Sequence, residues 1–439
     1  MGHIRIPFEE SDIDLDLPQA WRVIEEIKPK ESQPLEDIPG SLIHGLEHPI
    51  GCPPINSLDL SRKKIVIAID DVTRPTPTHL FFGCLLEHLF SCGARREDIL
   101  LMAAVGSHRP MTAEELKKKV GAENISGIRW VNNDSADMGC HVSLGTTKMG
   151  TEVYLNKHLK EADIIFCLGR IEPHPLLGFG GGLKMILPGL AHVKTIAQNH
   201  MQGVSSEKFN YIGCAESPMR RDLEEAAGML GNRIFIINVI LDREFKITHF
   251  ICGDPVKAHI EGAKISESIN AYTVKQTADA AIVGSSPMNA DLRQGLKCIA
   301  NIEESVKEGG LIMAFLECRN GIGDLTTPKS MFPIDNRIFR LVLRILGKGR
   351  IFWLVDKLKR DGASAVDEKF LSHFSMQVAR KNAIFICSKN LPPGIDRKVG
   401  LFRQFSDPQA MLREAERYLG KEANIYVSPY GGATYPKSH

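Results

Sequence analysis

Residues 169–200 read GRIEPHPLLGFGGGLKMILPGLAHVKTIAQNH, and the rest of the chain is organised around them. The apolar run just before, Asp163 to Leu168, is a buried strand that ends at Gly169. A loop follows in which Pro173 and Pro175 flank His174. Gly178, Gly180, Gly181 and Gly182 come next, then Lys184, and His200 closes the segment. Glycines let a backbone take positive φ and approach a ligand closely. A lysine presented by such a loop is available for anion contact or covalent chemistry. A tight turn with an exposed lysine and two ordinary histidines would account for the residues one at a time. Strand-end loops, however, are where α/β folds place function.

Two familiar glycine motifs fail here. A P-loop needs Gly-Lys-Ser/Thr, but Leu183 precedes Lys184 and Met185 follows it. The dinucleotide fingerprint needs a third glycine three residues after the second; counted from Gly178 and Gly180, that place holds Leu183. The loop is therefore built for something other than ATP or NAD bound in the usual way.

Outward from this segment, Ile65–Ile69 is a second buried strand, ended by Asp70-Asp71-Val72-Thr73-Arg74-Pro75-Thr76-Pro77, where proline forbids continuation. Thr78 is expected to cap the helix carrying Leu85, Leu86 and Leu89. A third strand, Ile99–Val105, ends in Gly106-Ser107-His108-Arg109-Pro110, and Thr112 with Glu115 forms a T-x-x-E capping box. Three strands thus end in polar, ligand-grade residues, which a parallel α/β sheet would gather at its carboxyl edge.

The strand–helix alternation then restarts. Asp279–Gly284 is predicted as a strand, Asn289–Val306 as a helix, Gly309–Leu316 as a strand, and Pro255–Ile269 as a helix capped by Asp254. Such alternation implies a second mainly parallel sheet. The fold class is α/β, with two helix-flanked parallel-sheet domains, residues 1–274 and 275–439, and an active site in the cleft between them. Residues 1–60 are expected to give an edge hairpin and a wrapping arm without chemistry.

Composition narrows the function classes. The 439 residues carry a net charge of +1, so neither nucleic acid nor an anionic membrane is indicated. Ten cysteines are scattered without a C-x-x-C pair, against a zinc ribbon and in favour of a reducing cytoplasm. The start MGHIRIPFEES lacks a signal-peptide apolar region. Residues 339–358 are apolar but broken by Arg340, Arg344, Lys348, Arg350 and Asp356, so they read as amphipathic helix.

Together, DDVTRPTP at 70–77, GSHRPMT at 106–112, EPHPLLGFGGGLKMILPGLA at 172–191, the Asn-His at 199–200 and DLRQGLK at 291–297 resemble the nickel-dependent lactate racemase family. The likeness runs in motif order over most of the chain and is weakest in residues 1–60 and after about 320.

The resemblance implies an isomerase, a racemase or epimerase that inverts C2 of a 2-hydroxy acid. It implies a nickel pincer nucleotide, a pyridinium mononucleotide with two sulfur substituents, joined covalently to Lys184. His200 matches the nickel ligand, and an imidazole beside sulfur donors suits square-planar nickel(II). His108 and His174 match the acid/base pair. Asp71, Val72, Thr73 and Arg74 match the nucleotide-binding stretch, and Arg74, Gln294 and Lys297 the substrate contacts. Hydride removal from the α-carbon avoids a carbanion beside a carboxylate, and two histidines serve the two enantiomers. Loading requires cofactor-biosynthesis enzymes in the host, and the family reading admits a homo-oligomer.

Two positions bear on the substrate. Arg293 precedes Gln294 where lactate-specific members are expected to carry an aromatic residue, and Trp353 is a candidate for a pocket-wall tryptophan. Competing readings are a noncatalytic cofactor-binding homologue and a zinc hydrolase using His108, His174 and His200. The latter lacks H-E-x-x-H or any compact ligand spacing.

Overall fold

The structure is a computed structural model that describes residues 2–8, 12–203, 208–323, 325, 334–358 and 364–437. Strands such as IVIAI at 65–69 and ILLMA at 99–103 are buried at every residue, the signature of parallel strands covered on both faces. Among the described residues, twelve strands form two six-stranded sheets. In chain order they are β1 (Trp21–Glu26), β2 (Ile65–Ile69), β3 (Ile99–Ala103), β4 (Arg129–Asn132), β5 (Ile164–Arg170), β6 (Arg233–Leu241), β7 (Ile247–Gly253), β8 (Ala278–Gly284), β9 (Val306–Phe315), β10 (Ala383–Cys387), β11 (Arg403–Phe405) and β12 (Ala423–Ser428).

The first sheet runs β7-β6-β5-β2-β3-β4 and is parallel except for the β6–β7 pair. The second runs β11-β10-β9-β8-β12-β1 and is parallel throughout. Apolar clusters cover both faces of each sheet. This is the α/β architecture the alternation of elements implies.

In the first sheet the chain leaves β2 toward β3 and β4, then returns to place β5 on the other side of β2. The strand order therefore reverses between β2 and β5, where ligand crevices open in such sheets. Ile69 lies level with Leu168 on one side and Ala103 on the other. The loops after β2, β3 and β5 consequently emerge side by side. The second sheet reverses in the same way between β8 and β12.

Several local expectations change. β1 pairs in parallel with β12, so residues 21–26 belong to the second sheet, although the division at 274/275 assigned them to the first. Nothing local in a short edge strand tells it which sheet to join. The expected hairpin is present, His3–Ile6 against Ile13–Asp16. Thr78 opens a 3-10 turn rather than capping the helix, which spans Phe82–Ser91 without a side-chain cap. Thr112 and Glu115 do form a capping box, and Asp254 accepts from the Val256 and Lys257 amides at 3.0 and 2.9 Å. The single helix expected over 289–306 is divided into Leu292–Gly295, Lys297–Ile302 and a 3-10 turn at Glu303–Ser305, and β9 begins at Val306. The helix Asn336–Leu358 is interrupted at Gly347, whose φ is 69°. Among the described residues no helix is long and apolar enough to cross a membrane.

Candidate active site

A cavity of about 310 Å³ opens at the carboxyl edge of the first sheet and is closed by elements of the second. The loop after β2 supplies Asp71 and Arg74, the loop after β3 supplies His108, and the loop after β5 supplies Glu172 and His174. Lys184 and His200 enter from the glycine segment and the helix behind it, Val193–Gln202. Arg293, Gln294 and Lys297 come from the short helices after β8. Val72 and Thr73 do not line the cavity. Val72 is 40% exposed, and the Thr73 amide donates to Asp71 Oδ1 at 2.7 Å. Trp353, expected as a pocket wall, is 56% exposed and stands outside the lining, because its helix turns that face outward.

The charges in this cavity do not balance locally. Asp70 is taken by Lys119 at 2.7 Å, and Asp71 Oδ2 lies 2.8 Å from His108 Nδ1. Arg170, Arg74, Lys184 and Lys297 then face one buried carboxylate, Glu172. Burial pushes Glu172 up, but those four cations together hold it at about 2. Burial, reinforced by Arg74, brings Lys184 down to about 7. Burial and the charges of Arg74 and Lys184 push Lys297 well below its ordinary range. Burial, with Lys184, Lys297, Arg74 and His200 adding to it, pushes His174 well below as well. For Asp71, burial pulls upward, and the His108 hydrogen bond and charge and Arg74 override it downward. Excess buried cation with converging polar groups describes a site for an anionic ligand.

The lactate racemase N-terminal domain matches residues 8–211. A lactate racemase from Thermoanaerobacterium thermosaccharolyticum is 32% identical over 331 residues, 74% of this chain and 76% of that protein. The chain belongs to the lactate racemase family. A second relative, the lactate racemase of Lactiplantibacillus plantarum, is 34% identical over 281 residues, 63% of this chain and 66% of that protein. The solved lactate racemase apoprotein from Thermoanaerobacterium thermosaccharolyticum superposes with a TM-score of 0.82, at 26% identity and with 100% of both chains covered. The chain is thus an isomerase, a racemase.

In this racemase the glycine segment is tightly held by the protein itself. Gly178, Gly181 and Gly182 have positive φ. A Cβ at Gly178 would collide with the Cys214 carbonyl, and one at Gly181 with the Arg170 carbonyl and Asn238 Oδ1. These glycines therefore serve close approach between protein segments. Asn238 accepts from the Gly182 amide at 2.6 Å, His259 Nε2 lies 2.8 Å from the Gly180 carbonyl, and Arg220 donates to the carbonyls of Leu177 and Phe179. Lys184 is presented on a braced platform.

His200 is oriented in a similar way. Its Nδ1 donates to the Ile196 carbonyl at 2.7 Å, so Nε2 carries the lone pair in the neutral ring. Its neighbour Asn199 donates to buried Asp222 at 2.8 Å, and Asp222 also takes the Thr147 and Thr151 hydroxyls. Among the described residues no three His, Cys, Asp or Glu side chains cluster as a metal site.

Proposed function

We propose that this racemase inverts C2 of a 2-hydroxy acid by hydride transfer to and from a nickel pincer nucleotide, with His108 and His174 as the acid/base pair. The observation that carries the reading is one cavity lined by His108, His174, Lys184, His200, Arg74, Gln294 and Lys297, delivered from both sheets. The residues present fit the group. An amine brought to about 7 has a substantial unprotonated fraction and suits an acyl link at Lys184. A single imidazole whose Nδ1 hydrogen goes to a backbone carbonyl, leaving the lone pair on Nε2, suits a metal whose other donors belong to the group itself. When bound, the group supplies a hydride acceptor and donor.

The protein's own residues do the rest. Arg74 and Lys297 hold the substrate carboxylate, Arg74 as a planar fork. Gln294 fixes Arg74 by a 2.9 Å hydrogen bond. The imidazoles take the hydroxyl proton and return it. On the first-sheet side Asp71 and Arg74, the members of the segment Asp71–Arg74 that line the cavity, would hold the nucleotide, and the second-sheet side would supply substrate contacts.

Co-expression with the cofactor-building enzymes tests the reading. Intact mass, nickel content and chiral analysis of a 2-hydroxy-acid panel are the measurements. A Lys184 adduct, bound nickel and C2 inversion of at least one acid are expected. A nickel-loaded, adduct-bearing protein that inverts none of them would overturn the catalytic assignment.

A further inference from the structure

The two acid/base histidines are held by partners of opposite hydrogen-bonding character. His108 Nδ1 faces a carboxylate, Asp71 Oδ2, at 2.8 Å. A carboxylate held below its ordinary pKa can only accept, so Nδ1 of His108 bears the hydrogen and Nε2 is bare. His174 Nδ1 faces the amides of Leu176 and Leu177 at 3.3 and 3.2 Å. Amides can only donate, so in the neutral ring Nδ1 of His174 is bare and Nε2 bears the hydrogen.

We propose that Asp71 and the Leu176–Leu177 amides fix His108 and His174 in opposite tautomers, which makes Asp71 a positioning residue of the acid–base pair. His108 is ready to take a hydroxyl proton at Nε2, and the imidazolium formed is compensated by Asp71. Asp71 is itself oriented by the Thr73 amide at 2.7 Å. His174 is ready to donate from Nε2 to a substrate oxygen. For His174 to carry a proton as imidazolium, Nδ1 must gain a hydrogen against two amide hydrogens. The contacts at Leu176 and Leu177 must then part. The two half-reactions of the racemase therefore differ in what the protein has to move.

The inference rests on the acid/base reading of these histidines. Its test uses apoprotein without substrate, so its failure and the failure of that reading are distinguishable. Histidine-15N-labelled apoprotein is examined by NMR at a pH where both rings are neutral, with signals assigned through His108→Asn and His174→Asn. The expected result is hydrogen on Nδ1 of His108 and on Nε2 of His174. Asp71→Asn should disturb the His108 pattern and leave His174 unchanged, while Asp71→Glu should restore it. Finding both rings in one tautomer overturns the proposal. So does an unaltered His108 pattern in folded Asp71→Asn. Should that variant not fold, the wild-type spectrum alone decides.

Discussion

Arg74 Nη1 donates to Gln294 Oε1 at 2.9 Å, across 220 residues of sequence. The bond joins the loop after β2 in the first sheet to the short helix after β8 in the second. Arg74 Nε also lies 3.8 Å from Glu172, so the guanidinium plane is set by groups from both sheets. A hydrogen bond to a charged group contributes about 1.5–3 kcal/mol, and about 1.4 kcal/mol is tenfold in rate. Gln294→Ala is therefore expected to lower kcat/KM of the loaded enzyme by about 10- to 100-fold. Steady-state kinetics check this; an unchanged kcat/KM would remove the bond from the substrate site.

Burial sets the fold against the charged form of Lys184. Its pKa falls from 10.5 in a free side chain to about 7 here. The folded protein therefore binds fewer protons than the unfolded chain between those values, and stability rises with pH across that window. The penalty is complete below about 7 and gone above about 10.5. Lys184→Met should raise the Tm of the apoprotein near pH 6 and lose that advantage by pH 10.5. Thermal melts of the two apoproteins over this range decide it; a Tm difference independent of pH would refute the argument.

Glu172 has the opposite sign. Its carboxyl lies at about 2 rather than 4.5, so the stability it contributes is present above 4.5 and lost as pH falls through about 2. It is the buried counter-charge for Arg170, Arg74, Lys297 and Lys184. Removing one partner of a buried ionic cluster costs about 3–5 kcal/mol. Glu172→Gln should lower the unfolding free energy of the apoprotein by that amount at neutral pH. Urea denaturation measures it, and a loss under about 1 kcal/mol would mean that the cations disperse their charge elsewhere.

The strand ends were legible because apolar runs stop at glycine, proline and charged residues. Those stops place Asp71, Arg74, His108 and His174 on one sheet edge. What holds them was less legible, since a partner such as Lys119 for Asp70 lies on another element and leaves no local mark. Some supports did leave a signal. Met219, Asp222, Leu223 and Ala226 form the buried stripe of the helix Pro218–Gly228, with Asp222 in a core position at helical spacing. His259 likewise shares a stripe with Gly262, Ala263 and Ser266. A polar residue in such a slot needs a buried partner, and both support the glycine segment or the His200 helix. The membership of β1 in the second sheet left no such trace, because a short edge strand is specified by what it meets.

His200 is aimed by backbone and by its helix. Its Nδ1 bond to the Ile196 carbonyl at 2.7 Å fixes the tautomer, and Asn199 is tied to Asp222. His200→Ala should reduce the nickel retained by loaded protein after gel filtration, while mass analysis still finds the adduct on Lys184. Asp222→Asn should weaken retention less, within the 10- to 100-fold range of lost outer-shell support. Full nickel occupancy in His200→Ala would assign the metal contact to another residue.

Arg293 is expected to read the substrate. It lines the same cavity as Gln294 and Lys297 and is half-buried there. The helix that carries it is capped by Asp291, whose side chain accepts from the Gln294 amide at 2.9 Å. Arg293 and Lys297 both line the cavity although they belong to two successive short helices, Leu292–Gly295 and Lys297–Ile302. Lactate would offer that wall only a methyl group. A methyl offers a guanidinium no hydrogen bond, whereas a carboxylate or hydroxyls meet it with charge-assisted ones. A 2-hydroxy acid carrying an additional carboxylate or hydroxyls is therefore expected to be turned over in preference to lactate. Arg293→Tyr should shift the ranking toward lactate by about tenfold or more in the ratio of kcat/KM values, one charge-assisted bond being worth about 1.5–3 kcal/mol. Lactate, malate and sugar acids compared on loaded wild type and variant provide the test. Lactate as the best substrate of wild type, or a ranking that the substitution leaves unmoved, would show that Arg293 does not read the substrate.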